Sequence, residues 1–200
     1  MKSFHDTITY QKRQCGDDNI MHIAITGKLG SGKSTAAANL SQILGYEIYS
    51  TGSIQRHAAA EMGITTLELN QRMMNDPSLD HVIDDTVTAI SKERDHIIFD
   101  SRMAWHFAHN AYRVFITVDD AEAARRVFAA ERGDVESYRT VEEAEASLKE
   151  RSELERQRFI SIYGVDYNSP DNYDLVVDST DMQPGEVAEI IAREFRRVAE

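Results

Sequence analysis

The sequence predicts an α/β fold in which helices cover both faces of a parallel sheet. Three observations predict it. From His22 onward, apolar runs of strand length alternate with helical patterns. The runs are rich in Ile, Val, Phe and Tyr and nearly unbroken, as strands buried on both faces are. A glycine-rich loop stands between the first run and the first helix.

The elements follow in order. Residues 1–20 are polar and without clear periodicity, and read as a loosely held extension, with an added surface strand or helix as the alternative; Met21 would make a natural start. HIAIT (22–26) is the first strand. The helix after it puts Ala36, Leu40, Ile43 and Leu44 on one face, and Gly45 is placed to stop it. YEIYS (46–50) is the second strand. Residues 51–92 carry no strand pattern and read as several helices inserted into the rhythm. HIIFD (96–100) and RVFITV (113–118) are the next two strands. Asp119 and Asp120 are good caps for a helix over 119–131 with Ala124, Val127 and Phe128 in one stripe. Residues 132–165 form a second insertion, a charged helix too polar to be core along most of its length. YDLVVD (173–178) is the fifth strand, and a helix from about Pro184 buries Val187, Ile190, Ile191 and Val198. The result is a single domain over 21–200.

Composition narrows the function. With 22 Lys and Arg against 34 Asp and Glu, the net charge is -12, which argues against nucleic-acid or anionic-membrane surfaces. A small phosphorylated ligand needs only a local cation cluster. One is present in Arg125, Arg126, Arg132, Arg139, Lys149, Arg151, Arg156 and Arg158. No apolar stretch approaches the ~20 residues that span a bilayer, and no signal-peptide pattern is seen. The single cysteine, Cys15, has no disulfide partner, so the expected compartment is the cytoplasm; a monomer or weak dimer is the expected state. His106 and His109 have metal-like spacing without an evident third ligand, and Met73, Met74 and Trp105 read as packing residues.

GKLGSGKS (27–34) matches G-x-x-x-x-G-K-[ST] between a strand and a helix. Such a loop wraps backbone N–H groups around phosphate at a helix N-terminus, so glycine is needed where a Cβ would clash or φ is positive. Gly27, Gly30, Ser31, Gly32, Lys33, Ser34 and Thr35 are therefore the nucleotide-binding candidates. Lys33 brings a cation to the β- and γ-phosphates of ATP, and Ser34 offers a hydroxyl to Mg²⁺. No Asn-Lys-x-Asp base-reading motif of a GTPase is present. A compact domain with two insertions points to a kinase for a small molecule, which must close over both substrates to exclude water. Asp100, at the end of a strand, is a second Mg²⁺ candidate; Arg102 and Arg56 are candidates to hold an acceptor phosphate.

The chain resembles the cytidylate kinase-like family, the archaeal-type cytidylate kinases, over about residues 21–198. Beyond the loop, the resemblance is carried by RSELERQRFISIYGVDY (151–167), by Gly52 through Arg56 to Gly63, by the spacing of Asp80 and Asp84, by DSRMAW and by YDLVVDST. It implies a P-loop kinase three-layer sandwich with a five-stranded parallel sheet. It also implies phosphoryl transfer from ATP to a nucleoside monophosphate, CMP or dCMP. Residues about 51–92 would bind the acceptor and about 132–158 would form an arginine-rich lid. By the same resemblance Lys33, Arg151 and Arg158 would stabilise the transferring group, Arg56 and Arg102 would hold the acceptor phosphate, and Asp80 and Asp84 would be acceptor-side or structural residues, with Asp84 the substrate-binding candidate. Lys28, Leu29 and Ser101 depart from the family pattern. A kinase for another small molecule and a regulatory nucleotide-binding module are the alternative readings.

Overall fold

A computed structural model describes residues 8–10, 21–130 and 137–199. Cys15 and Arg132 lie outside the described residues, as do most of 1–20 and the start of the second insertion. Five parallel strands form as the sequence predicts: β2 (His22–Gly27), β3 (Glu47–Ser50), β4 (Ile97–Asp100), β5 (Ala111–Thr117) and β6 (Leu175–Asp178). A sixth, β1 (Ile8–Tyr10), adds to the outer edge of β6 in antiparallel register, Thr9 opposite Val176. The extension thus includes an added strand, which is the alternative its sequence left open. It covers an edge that would otherwise present unpaired backbone groups.

The sheet order is β1-β6-β5-β2-β4-β3. Strand β2 is central, and the chain goes to opposite sides of it for β4 and β5. The C-terminal ends of the strands therefore open onto one crevice.

Side-chain alternation along β2 separates two core layers. Ile23 and Ile25 face α1 (Lys33–Leu44) and α8 (Pro184–Ala199), where Leu40, Val187, Ile191 and Phe195 are buried. Ala24 faces the other layer with Phe99, Phe115, Phe159 and Tyr173. Each fully buried aliphatic or aromatic side chain contributes roughly 1.5–3 kcal/mol, so these two layers fix the sheet that carries the crevice.

The first insertion is three helices, α2 (Thr51–Glu61), α3 (Thr66–Met73) and α4 (Ser78–Glu93). Thr65 and Glu68 form a capping box at α3, two reciprocal side-chain bonds that define where that helix starts. After β4 comes the short α5 (Ala104–Phe107), which the sequence pattern does not announce; it holds Trp105 in the core. Helix α6 (Asp120–Ala129) is capped by Asp119, which accepts from the N–H groups of Ala121 and Glu122. Helix α7 (Val141–Tyr163) is the charged segment.

Met74, expected to pack, and Ile48, on the sheet-edge strand β3, are exposed, as are three residues expected on buried helix faces: Ile43, Phe128 and Val198. Each of these three lies at the rim of its helix face. In α6 the buried stripe runs through Ala123, Ala124 and Val127. Small residues there let α6 pack closely on α7, and Phe128 falls outside the contact.

Candidate phosphate-transfer site

The loop after β2 is fixed from both sides. Lys28 N–H donates to Ile116 O (3.0 Å), and Ser179 Oγ donates to Ser31 O (3.0 Å). A Cβ on Gly27 would run into the Ile116 carbonyl, and Gly30, at φ +75°, has Ala123 O 2.7 Å from where a Cβ would sit. Only glycine fits at these two positions. Gly32 precedes α1 in the left-handed region and no side chain caps the helix, so its first N–H groups face the crevice.

Above this helix end is a cavity of about 490 Å³. Gly30, Gly32, Lys33, Ser34 and Thr35 line its floor. Asp100, Arg102, Arg56 and Arg151 line its walls. Ser31 is buried behind the floor, and Gly27 contributes its carbonyl to Arg102 Nη1 (3.1 Å).

The electrostatics follow from burial and neighbours. Desolvation and the nearby Arg102 push Lys33 down to about 7, with Asp100 and Glu155 opposing. The loop concentrates positive charge that bound phosphate oxygens would satisfy. Asp100 Oδ2 accepts from Ser34 Oγ (2.6 Å) and Ser50 Oγ (3.0 Å). A hydroxyl and a carboxylate side by side are hard oxygen donors and fit Mg²⁺. Among the described residues no group of three or more His, Cys, Asp or Glu side chains could hold a metal, so His106 and His109 are not part of such a cluster.

The expected cation cluster is only partly a site. Arg125 and Arg126 both bond Glu122, and Arg126 also holds the Ser179 and Thr180 carbonyls of the turn after β6. Arg156 pairs with Asp166. Of the described members only Arg151 lines the cavity. Arg125, Arg126 and Arg156 are instead neutralised by Glu122 and Asp166.

Two candidates stand elsewhere. Arg158, expected at the transferring phosphoryl group, is 1% exposed and does not line the cavity. It lies seven residues beyond Arg151, on nearly the same helix face but about 10 Å further along the axis. There its Nε is 3.0 Å from Asp80 Oδ2, its Nη1 donates to Asn70 Oδ1 (2.7 Å), and its guanidinium carbon is 4.9 Å from the Phe159 ring centre. Asp84 belongs to the same buried group and accepts from the Tyr163 hydroxyl. It does not line the cavity either. Asp80 and Asp84 are thus first of all parts of the packing between α4 and α7.

Burial pushes Asp84 up to about 7 and Asp80 up to about 6. A carboxyl whose folded pKa lies above its unfolded value, about 4, stabilises the fold most below that unfolded value. This stabilisation is lost as pH rises to 7. Asp84→Asn should therefore flatten the fall in thermal midpoint between pH 4 and pH 7, and midpoints at unit pH steps for both proteins would check it.

Glu155 fits the family's spacing in the 151–167 stretch, but sequence reasoning gave it no role. It is 2% exposed, lines the cavity, and accepts from Arg102 Nε at 2.8 Å and Arg151 Nε at 3.0 Å. Its signal in the sequence is the Arg151–Glu155 spacing of four, which a solvated helix pair shows as well.

A family model described as the cytidylate kinase-like family matches residues 22–181. A cytidylate kinase of Thermoplasma acidophilum is 34% identical over 176 residues, covering 86% of this chain and 90% of that one. An S-adenosylmethionine-dependent nucleotide dehydratase of Lacinutrix mariniflava is 31% identical over 176 residues, 88% of this chain, and the chain spans only 36% of that protein's length. The solved shikimate kinase of Acinetobacter baumannii superposes with a TM-score of 0.56 at 14% identity, over 90% of this chain and 94% of that one. At that identity the likeness is one of fold. No helix among the described residues is long and apolar enough to cross a membrane.

Proposed function

The chain belongs to the cytidylate kinase-like family and is a nucleoside monophosphate kinase, and we propose that it transfers the γ-phosphoryl group of ATP to CMP or dCMP. The observation that carries this reading is a single cavity with a phosphate loop as its floor and Arg56, Arg102 and Arg151 in its walls. Such a cavity can hold two phosphorylated molecules with their phosphates together.

In the proposed reaction an acceptor phosphate oxygen attacks the γ-phosphorus, and the bond to the ADP oxygen breaks. Charge spreads over the equatorial oxygens in the transition state, so catalysis is mostly positioning and positive charge. The loop N–H groups of Gly30 to Thr35 cradle the donor phosphates. Lys33 and Arg151 face the transferring group, and Arg56 and Arg102 hold the acceptor phosphate. Ser34 and Asp100 would hold Mg²⁺, which when bound neutralises charge on the donor phosphates. Helices α2 to α4 are the acceptor side, and about 132–158, within the second insertion, is the lid, of which residues 132–136 lie outside the described part.

The test is ADP release with ATP and Mg²⁺ and a panel of CMP, dCMP, UMP, AMP, GMP and dephospho-coenzyme A. Stimulation by CMP or dCMP is the expected result. Stimulation by another member alone would overturn the cytidylate assignment and leave the kinase reading. ATP binding with no stimulation by any member would favour a regulatory module.

A further inference from the structure

We propose that Glu155 is a positioning residue for phosphoryl transfer: its carboxylate clamps the Arg102 and Arg151 guanidiniums side by side at the phosphate cavity. The inference rests on the nucleotide-kinase reading above and assigns the residue that orders its cations.

The geometry is a continuous chain across four elements. Thr66 at the start of α3 accepts from Arg151 Nη1 at 3.2 Å. Arg151 Nε bonds one oxygen of Glu155, Oε1, and Arg102 Nε bonds the other, Oε2. Arg102 Nη1 then reaches the carbonyl of Gly27, the first residue of the phosphate loop. One carboxylate thus links the lid helix α7, the exit of β4 and the loop.

Charge explains why a carboxylate is needed there. The side chains of Arg102, Arg151 and Glu155 are 14%, 8% and 2% exposed. Two guanidiniums this close, with little water between them, repel each other; a shared anion removes the repulsion and leaves one net positive charge facing the phosphates. Burial opposes ionisation of Glu155, but Arg102 and Arg151 overcome it and hold the carboxyl down to about 2. It is therefore charged throughout the working range. Each arginine is gripped at Nε, the inner nitrogen, which fixes the plane of its guanidinium. A solvated i, i+4 pair would do none of this, because exposed pairs are screened and mobile.

The test is a double-mutant cycle with Glu155→Gln, Arg151→Ala and the double variant, using ATP, Mg²⁺ and CMP. Glutamine keeps the shape and removes the charge. Glu155→Gln is expected to lower kcat about 10²-fold, the scale of a small misplacement of reacting groups, with the ATP Kd changed less than threefold. In the Arg151→Ala background the same change should cost under tenfold, because one of its two targets is gone. A merely structural residue would show additive losses. The proposal is overturned if Glu155→Gln keeps kcat within threefold of the wild type, or if the full loss persists in the Arg151→Ala background.

Should glutamine prevent folding, Glu155→Asp retains the charge and withdraws it by one methylene, and a loss of kcat without a change in ATP affinity is again expected. A wild-type chain that CMP does not stimulate would sink the acceptor reading alone. The clamp is then read without turnover from the Arg Nε–H signals by NMR. Slow exchange in the wild type that becomes fast in Glu155→Gln supports it, and exchange at solvent rates in the wild type overturns it.

Discussion

Lys33→Ala is expected to lower kcat by about 10³-fold, the scale seen when a charge aimed at the transition state is removed from a preorganised site. The fold should not suffer. Lys33 sits at the first turn of α1, and burial, with the nearby Arg102, pushes it down to about 7. An amine with a depressed pKa destabilises the folded protein wherever the unfolded chain would carry the proton, which is the whole range below its ordinary value. Removing it should leave the thermal midpoint unchanged or higher. The loss should appear instead in the shift that ATP produces, since the β- and γ-phosphates lose their cation. ADP release and midpoints with and without ATP check both halves. Unchanged turnover would remove the phosphate loop from the proposed mechanism.

Arg158→Ala is expected to act first on stability, lowering it by about 3–5 kcal/mol, the usual cost of leaving a buried partner uncompensated. The pair it breaks is 1% and 4% exposed and spans α7 and α4. For a chain of this size 3 kcal/mol is about 10 °C in thermal midpoint. Burial already holds Asp80 up to about 6, so it can shed its charge by taking a proton. The penalty should therefore be smaller at pH 5 than at pH 8. Urea unfolding at the two pH values measures it. A variant as stable as the wild type with kcat reduced by orders of magnitude would return Arg158 to the transferring group.

These two lysine and arginine cases show what was legible. Lys33 could be placed from sequence because the motif that carries it is contiguous. The loop, the strand before it and the helix after it are contiguous, so the motif is readable locally, although the atoms that exclude a Cβ at Gly27 and Gly30 belong to the distant Ile116 and Ala123. Arg102 and Asp100 were legible for a similar reason, since the end of a parallel strand points to one crevice. Arg158 was not, because the helix of 23 residues that carries it extends well beyond the cavity. Periodicity says which side chains share a face of α7, but not which neighbour each meets along it. Residues 151 and 158 share a face and end in different surroundings.

The fold class, the order of five strands and helices and the position of the phosphate loop were determined by the sequence alone, through hydrophobic period and turn chemistry, which act over a few residues. The tertiary structure decided which charges are buried. It turned Arg125, Arg126 and Arg156 to local partners, drew Arg158 into a pair with Asp80, and put Glu155 between Arg102 and Arg151. The physical reason is that a charge is worth little in water and much out of it. Its role depends on packing between α3, α4, α7 and the sheet, residues far apart in the chain, and no local pattern encodes that distance.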